Sequence, residues 1–190
     1  NIKLKAGQEY IFYKSNMPGI DMDKINLVLD FGGNADNTKV TVRDIDLQEH
    51  GCDGIEAPAE DEDKTVYTYD SESNIWKTYV DDKGDAGFTT TFFYAPGWAQ
   101  IADPDFSVDK GKYTVVLPEA TSEQWQAQVH IVTTIPADAD TDYDFSCKFL
   151  AKKDINGVTV KFTDTASDDN FFFVNRYDLK AGTEYQVKIP

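Results

Sequence analysis

At 190 residues and 41% hydrophobic content, the chain can form one large all-β domain or two small ones around a real core. Its formal charge of −16 argues against nucleic acid and anionic membrane as partners, since both would repel it, and suits a soluble extracellular protein with an uncharged ligand. No run approaches the roughly 20 apolar residues that a spanning helix needs, so membrane insertion is not expected. No signal-peptide pattern stands at Asn1, and a start without Met reads as an excised piece.

LKAGQEY, at 4 to 10, returns as LKAGTEY at 179 to 185, with six of seven positions identical and the starts 175 residues apart. One such match can be an ordinary turn and strand entry. It can also mark a tandem repeat of that period from which this chain is cut out of register. On the second reading residues 1–50 are the C-terminal strands of one repeat and 60–190 the N-terminal part of the next. Residues 51–64, GCDGIEAPAEDEDK, form an exposed connection at the seam, with Asp61, Glu62 and Asp63 as a solvated charge run.

The rest alternates with period two in at least nine short segments bounded by Gly, Pro, Asp and Asn. INLVLDF puts Ile25, Leu27, Leu29 and Phe31 on one face, and FGGN supplies a turn. In VTVRDIDL the apolar phase runs Val40, Val42, then Ile45 and Leu47, which predicts a bulge at Arg43 and Asp44. NIWKTYV follows, with Trp76 read as core, and then FTTTFFY, KYTVVL, QWQAQVHIV, DYDFSCKF, GVTVKF, NFFFV and EYQVKI. None shows a convincing helical stripe. The pattern predicts an all-β, two-sheet antiparallel sandwich of jelly-roll type, in circularly permuted order if the repeat reading holds.

Of the two cysteines, Cys147 shares a face with Tyr143, Phe145 and Phe149, which predicts a buried free thiol; a disulfide to Cys52 is the alternative.

If QWQAQVHIV is one strand, Trp125, Ala127, Val129 and Ile131 point one way, and Gln124, Gln126, Gln128 and His130 the other. Such a row offers neutral donors and acceptors suited to an uncharged, polyhydroxylated ligand, against the bland reading of a plain polar outer face. Trp98, after the Pro-Gly turn of YAPGWAQ, is placed at a rim where an indole can serve as a platform for a sugar face. Among Phe171, Phe172 and Phe173, one or two must lie opposite the core; with Asn175 and Arg176 beside Phe173 they form a second candidate patch.

DIDLQE resembles the acidic E-x-D-x-x-E strand of family 16 glycoside hydrolases, but Asp44 stands where the nucleophilic Glu belongs, and the phase shift disturbs the paired-carboxylate geometry. No catalytic residues are assigned. No Ser-His-Asp order, HExxH or phosphate loop is present. A cofactor is not expected, apart from structural calcium on Asp44 and Asp46, or on Asp168, Asp169 and Asn170.

FYAPGWAQIADPDF, VVLPEATSEQWQAQVHI, YDFSCKFLAKKDINGVTVKFTD with DDNFFF, and LVLDFGGN with VTVRDIDLQEH together resemble carbohydrate-binding modules of families 4 and 22. Such modules occur within family 10 xylanases of Bacteroidetes. In them the DFGGN and DIxL strands follow the LKAG segment, whereas here they precede it. The resemblance implies a noncatalytic module that binds xylan, or β-glucan, in a cleft on one sheet lined by the glutamine row and Trp98. It implies an attached glycoside hydrolase as neighbouring domain, and a secreted, periplasmic or bacterial cell-surface location. Closure of the chain on itself gives a monomer; exchange of the end pieces gives a dimer. An adhesion or protein-interaction sandwich is the alternative from another class.

Overall fold

A computed structural model describes residues 10–33, 37–50, 73–84, 87–167, 169–179 and 185–187, except for the side chains of 10–16, 156, 175–179 and 185–187. Cys52, the 51–64 connection and Asp168 therefore lie outside the described residues, as do the side chains of Asn175 and Arg176.

Eleven strands and one α-helix are described. The strands are β1 (Tyr10–Pro18), β2 (Ile25–Asp30), β3 (Thr38–Glu49), β4 (Thr89–Tyr94), β5 (Phe106–Asp109) and β6 (Lys112–Leu117). They continue with β7 (Ala127–Val132), β8 (Asp142–Ala151), β9 (Ile155–Asp164), β10 (Phe171–Leu179) and β11 (Tyr185–Val187). One sheet has six strands in the order β11-β1-β8-β3-β6-β5, and the other five in the order β10-β9-β2-β7-β4. Only β5–β6 and β9–β10 are consecutive neighbours within a sheet; every other described connection crosses between sheets, as in a jelly roll. The protein is an all-β two-sheet sandwich, and strands from the first fifty residues lie inside both sheets: β2 between β7 and β9, β3 between β6 and β8.

The period-two pattern explains the core. Ile25, Leu27, Leu29 and Phe31 are fully buried, facing Ala127, Val129 and Ile131 of the same sheet and the inner faces of β3 and β8. Across the two sheets, Phe145 of β8 meets Phe162 of β9 edge to face, ring centroids 4.8 Å apart and planes at 82°. The bulge comes where the phase breaks: β3 loses register with β8 between Arg43 and Asp46, with φ of +50° at Asp44. Cys147 is buried as a free thiol, and desolvation pushes its ionisation up.

One element was not expected. Residues Ile75–Lys83 form helix α1, started by Asn74, whose side chain accepts from the Lys77 N–H, and stopped by Gly84 at φ +62°. Beyond Val42, β3 has no register partner in β6 among the described residues. There Asn74 bonds to β3, donating to the Ile45 carbonyl at 3.1 Å and accepting from the Leu47 N–H at 3.3 Å. The cap thus ties α1 to the bulged strand and sets Trp76, 2% exposed, into the core.

Candidate functional site

The outer face of the five-stranded sheet carries cross-strand rows fixed by register. One runs Thr91, His130, Val28, Lys161 and Val174 from β4 to β10; the next runs Phe93, Gln128, Asp30, Thr159 and Arg176. A groove of about 520 Å³ lies over the β4–β7–β2 part of this face, bordered by Asn26, Thr91, Phe93, Gln100, Gln128, His130 and Thr165. The named side chains are amide, imidazole, hydroxyl and aromatic, groups that can hydrogen-bond and stack, and Phe92 and Val132 complete the lining.

Three of its polar side chains are joined in a row that ends on Asp30 of β2. Asn26 Nδ2 lies 3.0 Å from His130 Nδ1, His130 Nε2 lies 2.7 Å from Gln128 Oε1, and Gln128 Nε2 donates to Asp30 Oδ1 at 2.6 Å. Three of the four are half-buried and Asn26 is buried, which strengthens each bond relative to one in water.

At one end of the groove stands an aromatic cluster. Phe93 stacks on Trp125, centroids 6.0 Å apart and planes at 28°, and Trp98 meets Trp125 edge-on at 5.8 Å. Both indoles are open to solvent, Trp98 at 67% and Trp125 at 46%. The backbone holds them there. Pro96 and Gly97 form a turn closed by the Trp98 N–H on the Ala95 carbonyl at 3.2 Å, with the positive φ at Gly97 that such a turn needs. Trp98 itself has φ +69°, a left-handed conformation costing about 1–2 kcal/mol for a residue with a Cβ. The Ala95 N–H then donates to the Gln126 carbonyl at 2.8 Å, joining the Trp98 turn to the Trp125 turn.

The row expected from QWQAQVHIV divides. From Ala127 onward the alternation is as read, with Gln128 and His130 outward. Gln124–Gln126, however, is a 3-10 turn, because Glu123 and Gln126 cap each other reciprocally. Gln126 is therefore no ligand candidate: it is fully buried, its Oε1 accepting from Ser122 N, Ser122 Oγ and Glu123 N at 2.9–3.1 Å. Gln124 is half-buried and donates to Thr159 Oγ1 and the Gly157 carbonyl, which pins the turn to β9. Trp125, which strand alternation places on the side of Ala127, Val129 and Ile131, instead faces solvent.

Phe173 is likewise corrected. A register shift in β10 between Phe171 and Phe173 turns Phe173 inward, 7% exposed and 6.1 Å from Phe162. Phe171 is the outward ring, 47% exposed beneath Lys161 Nζ at 5.4 Å. Asn175 and Arg176 pair in register with Val160 and Thr159, which is all that is described of them.

Asp44 and Asp46 have separate fates. The Asp44 carboxylate is engaged by Arg43 and by Lys148 at 2.8 Å. Asp46 is fully buried with both oxygens unpaired, and burial, helped by Asp144, raises its pKa to about 7. Among the described residues no group of three or more His, Cys, Asp or Glu is arranged to hold a metal ion.

Residues that the sequence did not single out are Asn26, Asp30, Thr91, Phe93 and Trp125. Trp125 could have been found from the E-x-x-Q spacing of Glu123 and Gln126, which announces a turn; the others become neighbours only through pairing of distant strands. No family model, no curated protein and no solved structure matches the chain.

Proposed function

We propose that the protein is a noncatalytic module that binds a β-linked plant polysaccharide, xylan in the first instance, in this groove, and so holds an attached glycoside hydrolase on its substrate. The observation that carries the reading is a row of hydrogen-bonded amide and imidazole side chains on a sheet face, with two solvent-exposed indoles on the adjoining turns that reach it through Phe93. Sugars present hydroxyl edges that pair with amides and apolar C–H faces that stack on rings. The two kinds of surface adjoin at Phe93, which borders the groove and stacks on Trp125. The chain's net charge of −16 favours an uncharged partner over an acidic one.

β-Glucan offers the same edges and faces and is the closest competing ligand. The exposed contact of Trp98 with Trp125 favours a second reading, a protein-contact or adhesion surface. Affinity electrophoresis in xylan and β-glucan gels separates them. The parent should be retarded by one glycan, and Trp98→Ala, Trp125→Ala and Gln128→Ala should each lose about tenfold in affinity at unchanged stability. Retardation by neither glycan, or parental affinity in all three variants, would rule the reading out.

A further inference from the structure

We propose that Asp30 is the positioning residue that sets the direction of the whole groove ladder. Its carboxylate oxygens can only accept, so Gln128 must turn its NH2 toward Asp30, as the 2.6 Å contact from Nε2 shows. The Gln128 carbonyl is then committed to face His130 Nε2 at 2.7 Å, which obliges that nitrogen to carry the imidazole proton. A neutral His130 is left with its lone pair on Nδ1, and Asn26 answers with its NH2 at 3.0 Å. Each orientation follows from the one before, and all follow from the acceptor at the start.

At the far end Asn26 Oδ1 is buried without a hydrogen bond, so nothing described at that end holds the amide in its present direction against the order set from Asp30. With Asn at position 30, which can donate as well as accept, the chain is free to reverse. Gln128 would then offer its NH2 to His130 Nε2, the imidazole proton would move to Nδ1, and Asn26 Oδ1 would accept it. Reversal exchanges the places of the spare donors and acceptors along the groove. Resting on the glycan-binding reading, the ladder's direction then selects which hydroxyl edge of a sugar fits.

The experiment is imidazole 15N NMR on the full chain, well above the imidazole titration range. The chain has only two histidines, so a His50→Asn variant assigns the spectrum. The parent should show His130 protonated on Nε2. Asp30→Asn should let an Nδ1-protonated population appear beside the Nε2 form and weaken xylan retardation about tenfold. Gln128→Met, which cuts the chain one link later, should release the Nε2 preference by a second route and serves if Asp30→Asn folds poorly. A parental Nε2–H signature in both variants overturns the proposal, and a moved proton with unchanged retardation overturns its link to ligand choice. If the parent binds neither glycan, the glycan reading fails while the NMR result still decides the role of Asp30.

Discussion

Tyr10 and Tyr185 stand opposite each other in register, in the one parallel strand pairing among the described residues. They are the last residues of LKAGQEY and LKAGTEY, so two near-identical words end side by side, running the same way. The two strands are not equivalent. β1 has β8 on its other flank, whereas β11, among the described residues, pairs with β1 alone and stands at the sheet edge through three register pairs.

Truncation after Leu179 should therefore be mild. Removing three edge pairs should cost about 1–2 kcal/mol, or a few degrees in Tm for a chain of this size, with xylan retardation unchanged. Differential scanning calorimetry of the truncated chain checks it; loss of cooperative unfolding would show that β11 supports more than an edge.

Gln126 and Gln128 should separate cleanly. Gln126→Ala removes the acceptor of three donors in a buried turn, and should destabilise the fold by about 2–3 kcal/mol. Gln128→Ala, on the half-buried groove floor, should cost little stability and much affinity. Urea denaturation beside gel retardation reads both quantities.

Gly32 should tolerate no side chain. A Cβ there would lie 2.3 Å from the carbonyl oxygens of both Gln124 and Glu123, and backbone cannot step aside as a side-chain tip can. Gly32→Ala should cost about 3 kcal/mol or more and weaken glycan binding with it, because the displaced turn carries Trp125. Calorimetry and retardation should fall together; full stability in Gly32→Ala would refute the packing.

Asp46 should make the fold prefer mild acid. Its folded pKa, about 7, lies above the unfolded value, so the folded state binds the extra proton between the two. Stability is then greatest below the unfolded pKa near 4 and falls as pH rises toward 7. Asp46→Asn should flatten that slope and gain roughly 2 kcal/mol at alkaline pH. Denaturation midpoints of parent and variant across the interval test the sign; parallel profiles would exclude Asp46 as the source.

The sandwich was legible because burial on one side of a strand writes itself as alternation, and Ala127, Val129 and Ile131 repeat it without interruption. The bulge at Asp44 was legible as a broken phase. The same logic failed at Trp125, where a local capping box overrides strand continuation. It also failed at Ile75–Lys83, a helix that buries mainly Trp76 and so leaves no apolar stripe to read. Of the candidate site, Trp98, Gln128 and His130 were visible. Asp30 was not, since its partner Gln128 is 98 residues away in sequence and adjacency of β2 and β7 is a property of the fold.

Cys147 gives the sandwich an internal clock. It sits in mid-β8 at 1% exposure, where a thiol reagent can reach it only when neighbouring strands part. In a Cys52→Ser background, the rate at which a reagent modifies Cys147 would time that opening without any added label. A ligand seated across β4, β7 and β2 should slow it from the opposite sheet, so a buried sulfur would record occupancy of a groove it never touches.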